Sequence, residues 1–116
     1  MGNALNEITK MLENDESIIS SLECSIRTFV YRQVYRPGVM VATNKRLIFK
    51  GLNLGDVDFI EKFEYERISS IEEKNGLLKK SIIFYIDGES IKLSDILSDN
   101  SNEFLNVVKS NITIKL

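Results

Sequence analysis

Between Cys24 and Lys50 the chain carries six basic side chains, Arg27, Arg32, Arg36, Lys45, Arg46 and Lys50, and no acidic one. Cations gathered in this way can hold an anion, whether a lipid headgroup, a phosphorylated ligand or a nucleic-acid backbone. Phe29, Tyr31 and Tyr35 fall in the same interval and could stack on bases or sit at a membrane surface. Arg32, Arg36, Lys45 and Arg46 are therefore the candidate ligand-binding residues. A plainer reading competes with this one, because alternate residues of a strand face opposite ways and could send the cations to water and the aromatics inward. Lys45-Arg46 likewise admits a structural role, as a charged device at a sheet edge or as an ion-pair partner of acidic strands further along.

Catalytic chemistry has little to work with. Histidine is absent and Cys24 is the one cysteine, which excludes serine triads built on His, Cys/His nucleophiles and His-containing metal sites. Asp56, Asp58, Glu61, Glu64, Glu66, Glu72 and Glu73 supply carboxylates, but the solvated outer face of a sheet accounts for them. Gly51 to Gly55 lacks the Lys and the helix that a phosphate-binding loop requires. No catalytic residue, metal ligand set or cofactor is expected. Cys24 reads as a small buried hydrophobe.

A chain of 116 residues, 43% hydrophobic and 28% charged, fits one soluble globular domain with its own core. The net charge of -2 opposes bulk attraction to nucleic acid or to an anionic bilayer. Met1 to Leu12 contains no continuous apolar stretch of the secretory type, and no run reaches the ~20 apolar residues of a membrane span. Cytoplasmic residence is expected, with peripheral association to a membrane as a variant of it.

The cations have to be positioned by strands. Gly38 to Lys50 contains two apolar runs separated by Thr43-Asn44-Lys45-Arg46, and Asn44 tolerates the left-handed backbone of a two-residue hairpin loop. A loop at Asn44-Lys45 sets Ala42 opposite Leu47, Val41 opposite Ile48 and Met40 opposite Phe49. Both faces are then apolar, which demands cover on both sides. A long first strand is predicted over Glu23 to Gln33, with Arg36-Pro37-Gly38 as the turn that follows it. Gly51 to Asp56 reads as a loop, Phe59 to Tyr65 as a fourth strand and Glu66-Arg67 as a break. Ile68 to Glu73 reads as a fifth strand, with Ile68 and Ser70 on one face and Ser69 and Ile71 on the other. Asn75-Gly76 marks a turn, and Leu77 to Lys80 reads as a loop. Asp87-Gly88 is the strongest hairpin signal and sets Ile86 opposite Glu89, Phe84 opposite Ile91 and Ile82 opposite Leu93.

Two helices flank the strands. Leu5, Ile8, Met11 and Leu12 recur at helical spacing behind Asn3 as a cap, giving a short amphipathic helix and a candidate interaction surface. Phe104, Leu105, Val108 and Ile112 form the greasy face of a terminal helix that starts at Asn100, with Glu103 at capping-box spacing. Asn14 to Ser17 separates the first helix from the rest, so residues 1–14 are assigned to it and 17–112 to the main domain. About seven antiparallel strands with exposed ends would aggregate, and curling them into a barrel plugged by the last helix removes the hazard.

Three stretches resemble the small bacterial pleckstrin-homology-like domains of the YokE-like type: Gly38 to Phe49, Phe63 to Ile71, and Gly76-Leu77-Leu78 with the apolar strand and Asp87-Gly88 hairpin behind it. The likeness spans roughly Ser17 to Asn111. It implies a mainly β fold, a seven-stranded antiparallel barrel or roll closed by a C-terminal helix. It also implies a non-catalytic binding module rather than an enzyme. Relatives that bind phosphoinositides gather basic residues around the loop between the first two strands, where this chain offers Arg32 and Arg36 without the full Lys and Arg pattern. The leading expectation is a protein partner or a second copy of the chain. An anionic lipid surface or phosphorylated ligand held by Arg32, Arg36, Lys45 and Arg46 is the alternative, and single-stranded nucleic acid ranks third.

Overall fold

A computed structural model describes residues 2–28, 34–51, 60–76, 79–97 and 100–113. In chain order these form α1 (Gly2–Met11), β1 (Ile18–Thr28), β2 (Val34–Thr43), β3 (Arg46–Gly51), β4 (Ile60–Glu64), a 3-10 turn (Tyr65–Arg67), β5 (Ile68–Asn75), β6 (Lys80–Ile86), β7 (Glu89–Ser94) and α2 (Ser101–Thr113). The seven strands make one antiparallel sheet in the order β4-β3-β2-β1-β7-β6-β5. The mainly β architecture with a closing helix is therefore as expected.

The sheet rolls up on itself. β4 and β5 stand at its opposite ends, yet only the three residues of the 3-10 turn join them in the chain. Phe63 of β4 also meets Phe84 of β6 edge to face, with ring centroids 5.2 Å apart, across four intervening strands. Inside the roll Leu22, Ile26, Met40, Leu47, Phe49, Ile82, Phe84 and Leu93 pack with Phe104, Leu105 and Val108 of α2, and Ile112 leans on the same cluster. α2 lies against β1, β5 and the 3-10 turn, and so fills the roll. A second, outer cluster joins Ile8 of α1 to Val39, Val41 and Ile48. Every residue of β3 is consequently buried, because α1 covers the face that the inner core does not.

Both hairpins have the predicted registers, Met40 with Phe49 and Ala42 with Leu47 in one, Phe84 with Ile91 and Ile82 with Leu93 in the other. At the second, Asp87 and Gly88 take φ of 53° and 82°, the left-handed pair that matches strand twist.

Other expectations need correcting. Arg36-Pro37-Gly38 is not a turn; it lies within β2, with Ser25 opposite Pro37 and Cys24 opposite Gly38. β3 ends at Gly51 opposite Gly38, so one side of Pro37 has no described ladder to need the missing N–H. β1 starts at Ile18 rather than Glu23, and its predicted end at Gln33 lies outside the described residues. In β5 a bulge between Ile68 and Ser70 breaks the alternation, putting Ile68 and Ile71 both in the core and Ser69 and Ser70 in solvent. Lys80 belongs to β6, and Asn3 lies inside α1. Phe29, Tyr31, Arg32, the 52–59 stretch with Asp56 and Asp58, and Leu77-Leu78 also lie outside the described residues.

Candidate functional site

The tip of the β2–β3 hairpin grips the segment that precedes β1. Thr43 Oγ1 donates to Glu16 Oε2 at 2.6 Å and accepts the backbone N–H groups of Lys45 and Arg46, each at 3.0 Å. Arg46 completes the hold with a two-pronged pair, Nε to Glu16 Oε2 and Nη2 to Glu16 Oε1, both 3.0 Å. The Glu13 N–H reaches Glu16 Oε1 at 3.0 Å, so the buried carboxylate accepts four hydrogen bonds and both its oxygens are satisfied. Burial by itself would raise the Glu16 pKa. The bonds from Thr43, Arg46 and Glu13, with the Arg46 charge, outweigh it and hold the carboxyl below its ordinary range. Below this knot Tyr65 donates to the Thr43 carbonyl at 2.6 Å, and burial beside Glu16 pushes its hydroxyl pKa up.

Asn44 works on the same segment. Its Oδ1 accepts the Ser17 N–H, its Nδ2 donates to the Asp15 carbonyl, each at 2.8 Å, and its own N–H donates to the Ser17 carbonyl at 3.2 Å. Lys45 Nζ lies 3.2 Å from Glu13 Oε1 at the surface. Further along β3, Lys50 points under α1, where its side chain is 3% exposed and its Nζ lies 3.1 Å from Glu7 Oε1.

Three cations of the basic interval thus face carboxylates of the N-terminal segment: Lys50 with Glu7, Lys45 with Glu13 and Arg46 with Glu16. The ion-pair role considered for Lys45-Arg46 exists, but its partners come from the segment before β1 and not from the fourth and fifth strands. Arg36 is elsewhere. It stands opposite Ile26 and shares that residue's inward face, while Arg27, next to Ile26, faces outward with Lys92 opposite on β7. Arg36 lies seven residues before Thr43, the end of β2 at the hairpin tip, about 23 Å at the usual rise. Of the four candidates, then, Lys45 and Arg46 lie together, Arg36 does not join them, and Arg32 lies outside the described residues.

The amphipathic stripe of α1 is divided as well. Ile8 is fully buried on the sheet, Met11 and Leu12 are partly buried against the same cluster, and Leu5 is 36% exposed. Glu16, Thr43 and Asn44 are the organising residues: the sequence offers Asn44 as a left-handed loop residue, but it takes no positive φ and instead bonds Asp15 and Ser17, and Glu16 and Thr43 carry no such role there. The signal for them was the match between an interval with only positive charges and a preceding segment holding Glu7, Glu13, Asp15 and Glu16. Cys24 is buried and its thiol pKa is pushed up to about 12 by burial, which suits a structural side chain. Among the described residues no group of acidic, Cys or His side chains could hold a metal.

The rolled seven-stranded sheet with a helix in its mouth is the pleckstrin-homology architecture. The family model for the bacterial PH domain matches residues 12–110, and the chain belongs to that family. Among solved structures it is similar to a pleckstrin homology domain from Shewanella amazonensis, at 16% identity and a TM-score of 0.68, covering 97% of each chain. It is similar too to a protein with a pleckstrin-homology domain from Shewanella loihica (16% identity, TM-score 0.67, 96% of this chain and 92% of that one). The C-terminal domain of a protein from Leishmania infantum aligns at 15% identity and TM-score 0.67, over 96% of this chain and 93% of that one. No curated protein matches. Domains of this fold are typically non-catalytic binding modules, and no helix among the described residues is long and apolar enough to cross a membrane.

Proposed function

We propose that the chain is a non-catalytic docking module that recognises a protein segment, either a partner's or that of a second copy, rather than a lipid headgroup. One observation carries this reading: Lys45, Arg46 and Lys50 each meet a carboxylate of the chain's own N-terminal segment, beside the apolar Val39, Val41 and Ile48. A face that holds an amphipathic helix by its apolar stripe, and the segment behind it by its carboxylates, has the chemistry of peptide recognition. An anionic lipid would have to displace those carboxylates, and Arg36 stands too far along β2 to assist. The same reading treats residues 1–14 as an arm on a domain of residues 17–112, in keeping with a family match that begins at residue 12. Placement in the YokE-like branch rests on the three stretches Gly38 to Phe49, Phe63 to Ile71 and Gly76 to Leu78.

Co-sedimentation with phosphatidylglycerol vesicles across a salt series tests the choice. The full chain is expected to stay in the supernatant at physiological salt. Pelleting that fades as salt rises would mean that free cations face the vesicle, and the lipid alternative would replace this reading.

A further inference from the structure

We propose that the outer face of β2 and β3 is a helix-docking site, occupied by the chain's own α1 and equally able to take α1 from a second copy, so that two chains exchange their N-terminal helices. The inference rests on the docking-module reading above and names its occupant.

The N-terminal segment is held by two attachments of different kinds. Residues 13–17 are fixed by the polar knot, through Glu16 on Thr43 and Arg46, and through Asp15 and Ser17 on Asn44. α1 is held by Ile8 and Met11 on Val39, Val41 and Ile48, and by the pair of Glu7 with Lys50. Only Leu12 lies between Met11, where the helix ends, and Glu13, where the knot begins. The helix can therefore leave its face while the knot stays closed, and exchange of an identical element is a low-cost route to a dimer.

Neither surface is stable uncovered. A helix of ten residues falls below the roughly 12–15 that an isolated helix needs in water. The face it covers would expose Val39, Val41, Ile48 and the ammonium of Lys50. Both are satisfied by the same contacts within one chain or between two, so concentration decides the partition. The closed chain also leaves Leu5, three residues before Ile8 on the same stripe, 36% exposed, so the stripe is longer than the face that covers it. The family match begins at residue 12, so α1 lies outside the matched stretch.

The latch supplies the test. Glu7→Lys places a cation against Lys50, and Lys50→Glu places a carboxylate against Glu7, so each variant repels its own helix. Mixed together, each helix finds the opposite charge only on the other chain. Light scattering is expected to give nearly monomeric mass for either variant alone and about twice that mass for the mixture. Glu7→Lys with Lys50→Glu in one chain restores the pair internally and should return to the native behaviour. A mixture that remains the sum of two monomers overturns the proposal. Should Lys50→Glu fail to fold, native mass spectrometry of isotope-labelled and unlabelled native chain decides. Mixed dimers that increase with concentration support exchange, and monomers alone at every concentration refute it. Vesicle pelleting of the native chain would overturn the docking-module reading without altering either mixing result, so the two failures are distinguishable.

Discussion

Glu16 is the residue from which the N-terminal segment hangs. Its side chain is inaccessible to solvent, Arg46 is nearly so, and the two are 30 residues apart in the chain. Nothing local in Asn14 to Ser17 points to such a partner, so the sequence reads as a break; only the charge asymmetry between residues 7–16 and 24–50 hints at it. Glu16→Ala would leave a buried guanidinium and hydroxyl without their acceptor, and a cost of about 3–5 kcal/mol in urea unfolding at neutral pH is expected. The pH dependence has a fixed sign. The folded pKa is lowered from the ordinary 4.5, so the stabilisation is complete above that value and is lost as pH falls through the lowered one. The difference between native chain and Glu16→Ala should therefore shrink in acid, as the native chain loses the pair itself. A difference that stays constant from neutral into acid would show that the Glu16 charge is not its source.

At the scale of the element, legibility followed the agreement of independent signals. The Asp87-Gly88 hairpin was readable to the residue because turn chemistry and apolar alternation select one register, whereas at Asn44-Lys45 the alternation alone carried it, since neither residue takes a positive φ. Pro37-Gly38 misled because its wording suits a turn, while its place in β2 depends on where β3 stops. The β5 bulge was invisible because one extra residue leaves composition unchanged and merely shifts which side chains go in. Gly38 shows what the strand needs instead of a turn. A Cβ there would collide with the Lys50 carbonyl and sit 2.7 Å from the Gly51 Cα and 2.9 Å from the Phe49 ring. Two of these obstacles are backbone, so β2 and β3 would have to separate at the Gly38–Gly51 pair. Gly38→Ala is expected to cost about 1–3 kcal/mol and lower the thermal midpoint by several degrees. An unchanged midpoint would mean that the strands give way there freely.

The molecule as a whole has two cores on the two sides of β2 and β3, and they should fail differently. The inner one closes the roll: Phe63 comes from the end strand β4, Phe84 from β6 next to the other end, and Phe104 from α2, so losing any of them loosens contacts throughout. The outer one holds α1, with Ile18 of β1 and Ile60 of β4 packed at its side. The greasy face of α2 and the need to close a seven-stranded sheet were legible from periodicity; that α1 would cover this chain's own sheet was not, because an apolar stripe does not say which apolar surface it meets. Phe104 is completely buried. Phe104→Ala should therefore cost about 3–5 kcal/mol globally, accelerating amide exchange in the strands on both sides of the roll. Ile8→Ala, equally buried, should release amides of α1 and the outer edge of β3 while leaving β5, β6 and β7 protected. If Phe104→Ala instead freed only α2, the strands would be holding the roll by their ladders alone, and the helix would be a passenger on the sheet rather than the plug that sets its curvature.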